Sequence, residues 1–248
     1  MWDSTSHITK NYVGQVRNMK KRMWLLLLVI VLAALDVIVV DHLRIDAAAS
    51  KTSDSADEDR SATGEQNGRR ENSGIPPAEV ASIIREELRL FPIPRSITHP
   101  AYQAAYEDSW MSGRTFGGER GHEGTDIMLD PDERGLFPVL SMTDGVIEKK
   151  GWLPQGGYRL GIRSTGGIYY YYAHLYDYAD GIEPGTVVVA GQLLGFAGDS
   201  GYSNIEGTVG NFPVHLHVGI YYNDEHGVET AVDPYPFLVP LPIVTTEF

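Results

Sequence analysis

The chain contains no cysteine. That absence rules out disulfides and thiolate zinc sites, so any metal has to be held by histidine and carboxylate. Basic residues are scarce from position 115 onward, where six Lys/Arg stand against eighteen Asp/Glu, so nearly all of the whole chain's net charge of −13 lies in that half. Such a surface repels polyphosphate backbones, which argues against a nucleic-acid partner, and a basic or neutral ligand fits it better. Large apolar side chains are missing from residues 47–74, AAASKTSDSADEDRSATGEQNGRRENSG. A segment of that composition cannot offset its ordering entropy and reads as a disordered tether. No internal repeat of fixed period is present, and 248 residues allow one substantial domain with accessory segments.

One long apolar run is present. Met23 to Val40, MWLLLLVIVLAALDVIVV, is eighteen residues with a single charge, Asp36. As a helix it covers about 27 Å of hydrocarbon, just enough to span a bilayer. Lys10, Arg17, Lys20, Lys21 and Arg22 precede it, while Asp41 and Asp46 follow with only Arg44 between them. The positive-inside rule then puts residues 1–22 in the cytoplasm as a basic tail and everything after about 41 outside. Ala47-Ala48-Ala49 offers a signal-peptidase site, but DHLRID separates it from the apolar run, which favours a retained anchor.

Beyond a linker over 41–74, Pro76 to Phe91 places Val80, Ile83, Ile84 and Leu88 on one helical face, with Pro92 and Pro94 as stop signals. This predicts a short helix packed on the following domain, within a helical or irregular extension over 75–114. From about 115 the pattern changes to short alternating segments separated by glycine turns. Pro138 to Thr143 and Val146 to Trp152 flank Asp144-Gly145, a hairpin signal. Tyr158 to Arg163, Ile168 to Leu175, Thr186 to Ala190, Leu193 to Ala197 and Val214 to Tyr222 add further strands. The prediction is an all-β domain over 115–240, mostly antiparallel.

Of eight histidines, His7, His42, His99 and His226 sit in tail, flank, loop and polar turn settings that call for solvated side chains. The other four sit where chemistry is expected. In His215-Leu216-His217-Val218 the strand period of two sends both imidazoles to one face and Val214, Leu216 and Val218 to the other. Neutral imidazole is the commonest metal ligand, and a strand with one apolar face holds such a pair rigidly. His122-Glu123-Gly124-Thr125-Asp126 superficially suggests a helical HExxH with Glu123 as base. Gly124 disfavours a helix interior and a β-like segment follows at once, so HxxxD reads as a loop-to-strand metal clip and Glu123 as a surface residue. His174 closes the run Tyr169 to Leu175, and alternation puts it on one face with Tyr170 and Tyr172.

RGHEGTDI at 120–127, YAHL at 172–175 and VHLHV at 214–218, in that order, resemble the LytM/lysostaphin-type zinc endopeptidases of peptidase family M23. GTVVVAGQLLGFAGDSG at 185–201 and VDPYPFL at 232–238 add to the likeness, which covers roughly half the chain. The resemblance implies a β-sheet or sandwich of the duplicated hybrid motif type and one Zn²⁺ held by His122, Asp126 and His217. It also implies His174 and His215 as catalytic rather than ligating residues; the sequence does not fix which imidazole does which step, and we take His215 as base and His174 as oxyanion stabiliser. Gly210-Asn211-Phe212-Pro213-Val214 departs from the family's small-residue run before HLH. The expected function is membrane-anchored hydrolysis of peptide bonds in bacterial peptidoglycan, with the single-pass N-terminus cytoplasmic and the C-terminal domain extracellular. The alternative is a catalytically silent scaffold for an extracellular partner protein, a role often accompanied by lost ligands; here all five positions are kept.

Overall fold

A computed structural model describes residues 73–248. The expected cytoplasmic tail, the span at 23–40 and nearly all of the linker lie outside the described residues. Among the described residues no helix is long and apolar enough to cross a membrane.

Helix α1 (Ala78–Glu87) comes first. Its buried face carries Ala81 and Ile84, and Leu88 just beyond it joins the same core. Burying a side chain the size of Ile84 is worth about 1.5–3 kcal/mol, which is what docks so short a helix. Glu87 adds polar contacts, its carboxylate accepting from the Gly166 amide at 2.7 Å and the Tyr170 hydroxyl at 3.2 Å. Leu88 leaves helical geometry at ψ 125, four residues before Pro92.

The strands that follow are β1 (Arg95–Ser96), β2 (Gln103–Tyr106), β3 (Gly113–Arg114), β4 (Arg120–Gly121), β5 (Thr125–Asp130), β6 (Pro138–Leu140) and β7 (Gly145–Leu153). Then come β8 (Gly157–Arg163), β9 (Tyr169–Tyr178), β10 (Val187–Val188), β11 (Leu193–Ala197), β12 (His215–Asn223) and β13 (Glu229–Val232). A one-turn helix α2 (Tyr235–Leu238) and β14 (Thr245–Thr246) complete the set. The main sheet runs β10-β7-β8-β9-β12-β5-β2, with β13 paired to β12 and β11 joining β9 to β6. Its pairings are antiparallel, as expected, and β1 with β14 forms a separate parallel pair.

Alternation decides which face is buried. Leu216, Val218 and Ile220 of β12, Tyr170 and Tyr172 of β9, Leu160 and Ile162 of β8, and Ile127 of β5 are fully enclosed on one side. The opposite face of β12, β9 and β5 carries His217, Tyr171 and Asp126, and the site is built there.

The hairpin expected at Asp144-Gly145 does not form. β6 pairs with β11, while β7 pairs with β10 and β8. Asp144 instead accepts the Ala190 amide at 2.8 Å, and Gly145 lies so close to β8 that a Cβ there would meet the Arg163 carbonyl oxygen at 2.6 Å. The dipeptide serves a loop clamp and a close strand approach. Within the expected helical extension, β2 pairs with β5 and so adds a strand to the main sheet.

Candidate metal centre and active site

Strand register assembles the centre. On β12 and β5, His217 stands opposite Asp126 while Leu216 stands opposite Ile127. The burial of Leu216 and Ile127 on one face therefore sets His217 and Asp126 side by side on the other. His122 arrives from the short connection between β4 and β5, and its amide is held by the Ser112 carbonyl at 3.0 Å.

Three donor atoms converge. Asp126 Oδ1 lies 3.0 Å from His122 Nε2 and 2.9 Å from His217 Nδ1, and those two nitrogens are 3.0 Å apart. Ligands arranged tetrahedrally around zinc at about 2.0–2.1 Å stand about 3.3 Å from one another, so the triangle has the right dimensions for that ion. The surrounding bonds suit it too. Ser109 takes the other ring nitrogen of His122, with its carbonyl at 3.3 Å and its hydroxyl at 3.1 Å, which aims Nε2 at Asp126, where it would be available as a ligand. Arg114 donates to Asp126 Oδ2 at 2.8 Å, occupying the oxygen that the triangle does not use. The residues fit a zinc ion with three protein ligands.

Protonation follows from the same contacts. Burial acts to raise the Asp126 carboxyl, but hydrogen bonds with His122 and His217 outweigh it and hold the group well below the usual carboxylate range. His217 is pushed below its ordinary value, mainly by burial, against the pull of Asp126. The imidazole is thus kept neutral, as a metal ligand must be.

His174 and His215 flank the triangle. His215 donates from Nδ1 to the Pro213 carbonyl at 2.8 Å, leaving Nε2 as an acceptor 3.8 Å from Asp126 Oδ1. His174 donates from Nδ1 to the Ser200 carbonyl at 2.7 Å, and its ring centroid lies 4.7 Å from that of His215. Burial first, then the charges of His215 and His217, push His174 well down, so it too is neutral.

His174 is not where alternation put it. Tyr170 and Tyr172 enter the core, whereas His174 turns to the opposite face among His215, His217 and Phe212. The cause is local: His174 takes φ 62, and the pairing of β9 with β8 shifts register between Tyr172 and Leu175. A bulge of this kind re-aims one side chain. Gly157, itself at φ 60, lets β8 press against Ser200, whose carbonyl orients the ring.

The sequence reading thus placed His122, Asp126, His174, His215 and His217 in residues that the fold brings to one spot, and Glu123 is exposed beside them. It missed the supporting residues. Phe212, in the segment that departs from the small-residue run, packs edge-on against His174 at 4.7 Å and His215 at 5.1 Å between ring centroids. Tyr171 stands against His217 at 5.9 Å. The bulk of Phe212 just before Pro213 was the visible signal for a wall at that place. A cleft of about 640 Å³ opens in front of His122, His174 and His217, lined also by Arg120, Arg159 and Tyr171.

Residues 120–234 match peptidase family M23, and they contain every residue of the triangle and both flanking imidazoles. The chain belongs to peptidase family M23. The family is zinc-dependent. An L-Ala–D-Glu endopeptidase of Bacillus subtilis is 48% identical over 134 residues, covering 54% of this chain and 39% of that protein. Lysostaphin of Staphylococcus simulans is 30% identical over 152 residues, covering 58% of this chain and 28% of the relative. The chain therefore spans well under half the length of these curated relatives. Among solved structures, a lytM structure from Ruminococcus gnavus is 46% identical with a TM-score of 0.62, covering 68% of this chain and 67% of that one.

Proposed function

We propose that the chain is a zinc-dependent endopeptidase that hydrolyses peptide bonds of bacterial peptidoglycan, anchored by residues 23–40 with its C-terminal domain outside the cell. One observation carries the reading: three donor atoms about 3 Å apart stand beside two imidazoles that the triangle leaves unused. A purely structural zinc site closes with four protein ligands and has no use for such imidazoles. The retention of all five residues likewise speaks for catalysis over a silent scaffold. The relatives' printed activities, on L-Ala–D-Glu bonds and as lysostaphin, support a peptide of the cell wall as substrate.

His122 Nε2, Asp126 Oδ1 and His217 Nδ1 would hold the ion. When bound, zinc supplies Lewis acidity toward a carbonyl and lowers the pKa of a coordinated water to about 7. His215 Nε2, opposite the Nδ1 bond to Pro213 and next to Asp126, accepts the proton of the attacking water and returns it to the leaving amine. With Nδ1 donating to Ser200 and burial keeping the ring neutral, His174 Nε2 carries no proton in the resting site, so this imidazole would stabilise an oxyanion only after taking up a proton at Nε2. Phe212 and Tyr202 cover His174, with ring centroids 4.7 and 5.7 Å away, and shield that imidazole from bulk water.

The test uses the full chain. Bound zinc is quantified, and purified peptidoglycan of several cross-link types is digested with the fragments identified by mass spectrometry. The expected result is about one zinc per chain and fragments that a chelator suppresses, with His217→Ala losing both. Unchanged wall hydrolysis by His217→Ala would overturn the assignment.

A further inference from the structure

The half of the chain from residue 115 has six basic side chains, and four of them have acidic partners. Arg134 pairs with Asp199 at 2.5 Å, Lys150 with Glu183 at 2.7 Å, Arg163 with Glu148 and Glu229 at 2.6 and 3.2 Å, and Lys149 more loosely with Glu148 at 3.9 Å. Arg120 and Arg159 have no carboxylate partner among the described residues, although acidic residues outnumber basic ones threefold in this half. Both line the cleft in front of the metal triangle.

One nitrogen of each guanidinium is also unsatisfied. Arg120 Nε and Arg159 Nη1 are shielded from solvent and meet no hydrogen-bond acceptor. A charged donor enclosed without an acceptor costs free energy that folding alone would remove, and it calls for a specific explanation. The two charges act on a common neighbour: burial raises the Tyr171 phenol while Arg159, and more weakly Arg120, pull against it. Tyr171 in turn stands against His217. Arg120 and Arg159 thus line the same cleft as a tyrosine beside a metal ligand.

The other charges in the cleft leave this feature intact. Glu229 is tied to Arg163, and Glu123 is exposed to solvent. The overall acidity of the domain points toward a basic or neutral ligand, yet the wall of the cleft next to the metal centre has the opposite character.

We propose that Arg120 and Arg159 form a carboxylate-binding subsite that selects an anionic stem peptide, with a free carboxylate next to the scissile bond, over a neutral glycine bridge. The proposal rests on the endopeptidase reading above and specifies its substrate class. Guanidinium forks match carboxylate geometry and form short, charge-assisted bonds in a shielded setting. A D-glutamyl residue linked through its side chain keeps its α-carboxylate free and so presents this group; an oligoglycine bridge has nothing to offer.

The experiment reads binding apart from turnover. The full chain, kept zinc-free by a chelator, is titrated calorimetrically with alanyl-γ-D-glutamyl-lysine amide and with the same peptide carrying a carboxamide in place of the glutamyl α-carboxylate. The carboxylate peptide is expected to bind about 10-fold more tightly or better, and Arg159→Gln or Arg120→Gln to abolish the difference. Equal affinities for the native chain, whether weak or strong, overturn the proposal without reference to any variant. A preference that survives in both variants overturns it as well. Selective binding by a zinc-loaded chain that releases no wall fragments would keep the subsite and remove the hydrolase, so the two failures are distinct.

Discussion

Gly124 is a residue whose replacement by alanine tests how the centre is held. It is buried between His122 and Asp126, and a Cβ there would stand 2.6 Å from His217 Nε2 and 2.8 Å from the Val218 carbonyl oxygen. Ordinary contact needs about 3.4 Å, so something must move by close to 1 Å. The Val218 backbone cannot yield cheaply, because Val218 is paired with Thr125 on one side and Tyr172 on the other. The His217 ring has to give way and leaves the triangle it shares with His122 and Asp126. Overpacking of this kind costs about 1–3 kcal/mol, which lowers Tm by several degrees. A ligand displaced by about 1 Å is expected to cost about 100-fold in activity. Zinc affinity, measured by competition with a chromophoric chelator, should fall by about 100-fold in Gly124→Ala. Gly113→Ala is the control, since no atom lies within 4 Å of its Cβ, and it should behave as the native chain. A Gly124→Ala chain that holds zinc within about twofold of the native chain would refute the steric argument.

Arg114→Gln removes the charge that occupies Asp126 Oδ2, and loss of such an outer partner is expected to weaken zinc binding by about 10–100-fold with little change in Tm. Zinc titration beside a thermal melt checks both halves of that statement. The zinc-free chain should lose stability as pH falls below about 6.5, because His174 and His217 stay neutral when folded and take up protons when unfolded. The melting temperature at pH 5.5 should lie below that at pH 7.5, with a shallower slope in His174→Gln; a flat profile would contradict the burial argument. At the alkaline end, burial pushes Tyr169 and Tyr178 up to about 12, so the folded state retains protons that the unfolded state releases from about pH 10, and stability should fall above that pH.

The parts of the site legible in the sequence were those that depend on local periodicity. In β12 the histidines alternate with Val214, Leu216 and Val218, and a period of two needs no knowledge of the rest of the fold. Glu123 was separable from the ligands because Gly124 and the following apolar residues exclude a helix there. His174 shows the limit of that reasoning. Strict alternation carries it into the core with Tyr170 and Tyr172, and only a left-handed residue at the register shift between β8 and β9 turns it back toward the metal centre. Asp144-Gly145 fails for a related reason: its partners, Ala190 and Arg163, are remote in sequence, and they outcompete the local turn. Arg120 and Arg159 were invisible, because a missing partner is defined only once all the other charges have been placed.

Core packing and site assembly share one determinant. A slip of one residue between β5 and β12 would reverse the faces of Asp126 and Ile127, putting a carboxylate among apolar side chains and an isoleucine opposite His217. The fold resists that slip because Ile127, Leu216 and Val218 are wholly enclosed, and a buried unpaired carboxylate costs far more than any gain from the alternative pairing. The hydrophobic pattern of two strands thus fixes the spacing of two of the three donor atoms. The third, His122, and both flanking imidazoles are set by hydrogen bonds to the backbone carbonyls of Ser109, Pro213 and Ser200. In each imidazole the nitrogen opposite that bond is left to face the chemistry, so tautomer and orientation are decided by the same contact.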